Sequence, residues 1–372
     1  MTFKDEAKGL SENSFENIDR WLDVIQRSKF PALELANLVL GLRATGVIDV
    51  GARDAGVEAL WWRLPGLANY FGFEPDPAEC TRLNSNRDPN YAATEVEYFP
   101  VALGASSGEA TLYLTENLAC SSLYEPDPIL ADRFPDIEVT RKRGELRVPL
   151  STLDEWWEKE NRPVVGFVKL DTQGSELDIL QGGSNLLAQC IGCEVEVEFS
   201  PMYKNQPLFH EVESHMRSRG FVLWRLYGLC HYPESYTSPH SRSENIYFGS
   251  QKSSTFQAGS GRLFWANAIY FRDHNSNFFN DNPKALFVLL ALMEAARDFD
   301  GVLAVLKRII SYNLLPATAE VRLVAAMIPR SEDPNPPFSG GRETQASSLH
   351  TKAAQWDKFR GSLIGRVLGR FY

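Results

Sequence analysis

Between residues 47 and 272, short apolar runs alternate with stretches of helical periodicity. The pattern predicts strands at 47–51, 69–75, 95–103, 166–171, 193–200, 220–226 and 263–272. Helices are predicted between most of them, at 55–63, 77–86, from 175 to 181 and onward, and at 207–219. Strand–helix alternation implies βαβ units, a mainly parallel sheet and right-handed crossovers. The last two strands have little helix between them, which suggests an antiparallel edge.

Outside this region the pattern is helical. Phe15, Ile18, Trp21, Leu22 and Ile25 recur at helical spacing, and Pro31 opens a second short helix running to Leu40. Residues 283–328 carry Leu286, Leu289, Leu290 and Met293 on one stripe. The segment 330–348 is rich in Pro, Gly and Ser and reads as a flexible linker. Beyond it, Trp356, Phe359, Leu363, Val367 and Phe371 form an apolar stripe. Lys352, Lys358, Arg360, Arg366 and Arg370 stand there against Asp357. The expected organisation is a helical cap at 1–45, an α/β domain at 46–274, a helical extension at 275–329, a linker at 330–348 and a basic amphipathic tail helix at 349–372. Such a tail suits an anionic membrane surface or a partner protein, or packing on its own domain or a second subunit.

Composition narrows the classes. With 38 Lys and Arg against 48 Asp and Glu, the net charge is −10, which argues against an extended nucleic-acid footprint. Five cysteines in a chain of 372 residues do not suggest a disulfide framework. The N-terminal residues lack a basic and then apolar leader pattern, so a cytoplasmic setting is expected.

The chemistry gathers at predicted strand ends, where open parallel sheets bind ligands. Asp49, Gly51, Ala52 and Arg53 form a turn after the first strand. It is neither the phosphate-cradling G-x-G-x-x-G nor a P-loop. The second strand ends in Glu74 and Pro75, and an acid there can accept hydrogen bonds from both hydroxyls of a ribose. Its alternative role is a helix-start acid. A ribose-binding acid without a pyrophosphate cradle suits an adenosyl cofactor. S-adenosylmethionine matches that description, and NAD remains an alternative.

Lys169 and Asp171 share one face of the fourth strand, and Glu194, Glu196 and Glu198 share one face of the fifth. They read either as structural ion pairs or as groups that position and deprotonate a substrate hydroxyl. Lys169 is the expected partner of Glu196, and Glu194 is expected to be solvated. Asp171, Glu196 and Glu198 could also hold Mg²⁺, but no spacing demands it and no metal is assigned. His210 is a reserve base. Cys190, Cys193, Cys230 and His231 do not have a recognised zinc spacing.

Taken together, VIDVGARDAG, GFEPDP, VALGASSGEATLYL, STLDEWW, FVKLDTQGSELDILQGG, EVEVEFSPMY and GRLFWANAIYFR resemble the FkbM family of methyltransferases, over about residues 47–272. The resemblance implies a Rossmann-like class I methyltransferase fold, a mainly parallel seven-stranded sheet with one antiparallel strand. It implies S-adenosylmethionine-dependent O-methylation of a hydroxyl on a sugar, in a glycan or glycolipid, or on a secondary metabolite. Asp49, Gly51 and Glu74 would then lie at the cofactor, with Leu103 and the Ser121–Ser122 turn flanking the adenine. Lys169, Asp171 and Glu176 match the family's K-x-D-x-x-G-x-E segment. The expected base is Asp171 or Glu198, with Lys169 orienting it or polarising the acceptor oxygen. Arg53, Ala55 and Ala105 depart from the family pattern, and Arg53 would either obstruct the cofactor or bind its carboxylate. The competing expectation is a non-catalytic scaffold acting through its terminal helices.

Overall fold

The computed structural model describes residues 30–40, 45–53, 69–85, 95–161, 164–234, 261–320 and 323. The expected helical stripe from Phe15 to Ile25, the helix expected at 55–63, the linker and the tail helix lie outside the described residues, as do Ala55 and Gly56.

A seven-stranded sheet runs β3 (Glu95–Phe99), β2 (Asn69–Phe73), β1 (Thr45–Val50), β7 (Val164–Leu170), β8 (Gly192–Glu198), β10 (Arg262–Arg272), β9 (Phe221–Tyr232). Strands β3, β2, β1, β7 and β8 are parallel, and β10 is antiparallel to both of its neighbours. This is the doubly wound, Rossmann-like α/β arrangement expected. The antiparallel strand sits inside the sheet, however, and β9 takes the edge. Antiparallel neighbours need no crossover helix between them, which fits the little helix read between these two strands.

Both faces are covered, so the central strands are apolar on both sides. Val47, Phe167, Ile269 and Phe271 pack into one core with α1 (Pro31–Leu40) and α2 (Pro77–Ser85). The opposite core holds Ile48, Val50, Val168, Leu170 and Tyr270. It packs against α3 (Leu153–Lys159), α4 (Glu176–Gly182) and α5 (Phe209–Ser218). That two-sided burial is why these strands read as continuous apolar runs rather than clean alternation.

The helices after residue 275 share the first core. In α6 (Ala285–Ala295) every residue is buried, not only the stripe of four, and α7 (Phe299–Ser311) packs beside it. Even Glu294 is buried: its Oε2 accepts the Leu33 N–H at 2.9 Å, satisfying an orphan donor in the first turn of α1.

A three-stranded sheet of β4 (Ala102–Leu103), β6 (Lys142–Ser151) and β5 (Gly108–Thr115) was not anticipated. The expected strand at 95–103 breaks at Pro100, which has no N–H for a ladder, and its two halves enter different sheets. Strands β5 and β6 bury little beyond Leu112 and Val148, so their apolar signal is weak. Among the described residues, no helix is long and apolar enough to cross a membrane.

Candidate functional site

At the carboxyl end of β1 the chain turns through Gly51 at φ +82°, a left-handed conformation that favours glycine. A Cβ there would lie 1.8 Å from the Asp171 carbonyl oxygen, so the β1 turn and the β7 exit touch backbone to backbone. Gly51 and Ala52 both donate N–H to the Phe73 carbonyl at 3.1 Å, which pins this turn to the tip of β2.

Beside that turn, Glu74 is buried and its Oε1 accepts the Asp76 N–H at 2.8 Å. Arg53 reaches across: its guanidinium donates to Asp76 Oδ2 at 2.8 Å and stands 3.5 Å from Glu74 Oε1. Burial pushes the Glu74 carboxyl up, against the Asp76 N–H and the Arg53 charge that favour its ionised form. At Asp76, burial also opposes charge, but the Arg53 hydrogen bond and the N–H groups of Ala78 and Glu79 outweigh it and hold the carboxyl low. Pro75 is half-buried between the two acids. Arg53 thus sits on the acid expected to take a ribose.

The second cluster follows from strand register. Asp49 on β1 lies opposite Lys169 on β7, which lies opposite Glu194 on β8. The Lys169 ammonium is 3.2 Å from Asp49 Oδ1 and 3.4 Å from Asp171 Oδ2. Burial opposes its charge, yet these two carboxylates prevail and hold it protonated far above neutral pH. Asp49 Oδ2 also accepts the Tyr70 hydroxyl at 2.7 Å. Lys169 is therefore not the partner of Glu196. Glu194 is not solvated either: it is buried, accepts the Tyr227 hydroxyl, and burial pushes its carboxyl up to about 7.

Glu196 finds a neutral partner, which sequence reasoning missed. Gln173, at φ +61°, donates its amide to Glu196 Oε2 at 2.7 Å and to Asp171 Oδ1 at 3.2 Å. The amide oxygen of Gln173 in turn accepts the Tyr203 hydroxyl at 3.3 Å. Glu176 folds back to cap its own loop: Oε1 accepts the Thr172 N–H and hydroxyl, and Oε2 accepts the Gly174 N–H at 2.9 Å. Burial pushes Glu176 up to about 7, and pushes Glu196 and Glu198 well above the carboxylate range, with neighbouring acids adding to it. Asp171 is the accessible member, its side chain 35 % exposed. The Asp-Thr-Gln-Gly exit of β7 was legible as a loop, but the long-range pairing of Gln173 carried no sequence signal.

The 116–126 segment walls this cluster. Ser122 Oγ donates to the Gln173 carbonyl at 2.8 Å, Tyr203 donates to the Cys120 carbonyl at 2.7 Å, and Ser121 Oγ accepts the Thr115 N–H at 3.4 Å. Leu103 is buried in the core with Val50 and Phe73. His210 lies exposed in the first turn of α5, and among the described residues no hydrogen bond links it to the acids. Cys190 and Cys193 belong to one core cluster and Cys230 to another, so no zinc set assembles from them.

Residues 49–223 match the family model described as the methyltransferase FkbM domain. The 2-O-methyltransferase NoeI of Sinorhizobium fredii is 22% identical over 163 residues, covering 43% of this chain and 66% of the relative. The hexuronic acid methyltransferase AglP of Haloferax volcanii is 27% identical over 165 residues, covering 42% of this chain and 62% of the relative. The matched stretches span just under two thirds of each relative. The crystal structure of magnesium protoporphyrin IX methyltransferase (ChlM) from Synechocystis PCC 6803 with bound SAM aligns over 72% of this chain and 86% of that chain, at 11% identity and a TM-score of 0.28.

Proposed function

We propose, from a chain whose residues 49–223 match the FkbM methyltransferase domain, that it transfers a methyl group from S-adenosylmethionine to a hydroxyl of a saccharide acceptor. The observation that carries this reading is the pairing of two features at adjacent strand ends. One is a buried acid, Glu74, beside a glycine turn. The other is a lysine-held carboxylate, Asp171, that remains accessible. The two relatives, a 2-O-methyltransferase and a hexuronic acid methyltransferase, favour a sugar over other alcohols.

The residues fit the cofactor. Glu74 Oε1 is occupied by the Asp76 N–H, and among the described residues no hydrogen bond uses Oε2, which leaves an acceptor for a ribose diol. When bound, S-adenosylmethionine supplies an electrophilic methyl on a sulfonium. The protein's part is alignment and proton removal, and alignment by itself contributes several kcal/mol. Asp171 takes the acceptor's proton, and Lys169 holds that carboxylate in place while staying charged. Glu198, also expected as a base, is buried and pushed toward its protonated form, which leaves the role to Asp171. The affinity for the acceptor rests on regions beyond these strand ends.

The test begins with isothermal titration of S-adenosylhomocysteine. Glu74→Ala is expected to weaken binding by about 10- to 100-fold, the effect of losing hydrogen bonds to a charged acceptor. Labelled methyl transfer to neutral and uronic-acid saccharides follows. If the wild type binds no S-adenosylhomocysteine, the scaffold reading replaces this one. That rival draws its support from the Arg53 bridge over Glu74.

Arg53 has an expected pH signature. Its charge helps keep buried Glu74 ionised. In Arg53→Ala the Glu74 carboxyl rises further, so more of it is protonated at pH 6 than at pH 8. S-adenosylhomocysteine affinity is therefore expected to fall several-fold at pH 6 and to recover toward pH 8. Tighter binding at both pH values would instead mark Arg53 as an obstruction.

A further inference from the structure

Beneath the accessible Asp171, three carboxylates converge without a cation. Glu196 and Glu198 lie two residues apart on β8 and share a face. Glu176 opens α4 and turns back toward them. One oxygen from each lies within 4.8 Å of the other two, and all three residues are buried. Lys169 is committed to Asp49 and Asp171, and among the described residues no lysine or arginine forms an ion pair with any of the three.

Neutral donors account for part of this charge. Glu176 is held by Thr172 and Gly174, and Glu196 by Gln173. Glu198 is held only in part: the Gln206 side chain and a backbone N–H act on its carboxyl, but it is 1 % exposed and its Oε1 is buried with no hydrogen-bond partner. A buried carboxylate oxygen with no donor, on a side chain clustered with two other acids, calls for a positive occupant. All the ligand atoms are hard oxygens, which suits Mg²⁺, Mn²⁺ or Ca²⁺ and not a soft metal.

We propose that Glu176, Glu196 and Glu198 form a site for one hard divalent cation, tying the β7–α4 loop to the end of β8. Half-buried Asp171 and Gln173 bound the cluster on the cleft side. The Gln173 amide now on Glu196 Oε2 is the group an entering cation displaces. The rival occupant of this charge is protons: burial and mutual repulsion push all three carboxyls up, so they can stay neutral without a metal. This inference does not depend on methyl transfer, so either can fail alone.

The experiment is titration of MnCl₂ into the full-length protein at pH 7.5, without cofactor, with free Mn²⁺ read by electron paramagnetic resonance. One Mn²⁺ bound per chain, displaced by excess MgCl₂, is expected. Glu198→Gln is expected to weaken binding at least tenfold, and Glu138→Gln, an exposed acid remote in role, to leave it unchanged. Circular dichroism checks that each variant folds. If Glu198→Gln does not fold, Glu196→Gln and the Mn²⁺-induced rise in the wild-type thermal midpoint carry the test. Absence of Mn²⁺ binding by the wild type at millimolar concentration would overturn the proposal. So would equal affinity in a folded Glu198→Gln or Glu196→Gln protein. Either result would assign the cluster to protons.

Discussion

Asp171→Asn is expected to lower turnover by about 10²–10⁴-fold, the usual contribution of a positioned general base, while S-adenosylhomocysteine binds with unchanged affinity. An alcohol gives up its proton reluctantly, and the amide cannot receive it. The geometry favours Asp171 over its neighbours. Its side chain is 35 % exposed, whereas Glu196 and Glu198 are buried. Lys169 at 3.4 Å and the Gln173 amide at 3.2 Å leave it little freedom to rotate. The substitution keeps the side-chain shape, so kcat is the parameter expected to move, with KM for the acceptor changing little. Steady-state kinetics beside calorimetry separate the two. Full turnover in this variant with intact cofactor binding would remove Asp171 from the chemistry.

Gly51→Ala is expected to abolish S-adenosylhomocysteine binding and to destabilise the fold by about 3 kcal/mol or more. Two costs add there. An alanine at φ +82° is strained, and its Cβ would stand 1.8 Å from the Asp171 carbonyl oxygen. The neighbouring backbone has no room to yield, because Asp171 N–H already donates to Val50 O at 3.1 Å. Moving either segment separates the glycine turn from the residue proposed as the base. Gly108→Ala is the control: it also has positive φ, +147°, but a Cβ there meets nothing within 4 Å. It is expected to cost no more than the backbone strain, about 1–3 kcal/mol. Urea unfolding of the two variants, compared at equal m, gives the difference. Equal stabilities would show that the close approach at Gly51 is not limiting.

Much of the architecture was legible because its causes are local. Runs such as 47–51 and 166–171 are apolar on both faces, and glycine and proline punctuate their ends. These signals also located Asp49, Gly51, Glu74, Lys169 and Asp171 at strand ends, and the structure brings them to one end of the sheet. The small sheet escaped notice because β5 and β6 bury so little that no hydrophobic period rises above their polar residues. His210 illustrates the converse: its residue type suggested chemistry, but helix phase leaves it in solvent.

What the sequence by itself determined is the run of strands that build the large sheet, the acidic face of β8 and the set of polar residues available at the strand ends. Those follow from periodicity and from side-chain chemistry that each residue carries alone. Partnership was decided only by the tertiary structure. Lys169 pairs with Asp49, not Glu196, because β1 and β7 lie in a register that sets those two side by side, while Glu196 lies beyond the end of the β7–β8 pairing. Arg53 meets Glu74 and Asp76 only because β1 and β2 are adjacent and parallel. Register and strand adjacency are products of packing across the whole sheet, and a charged side chain's role depends on which neighbour that packing presents to it.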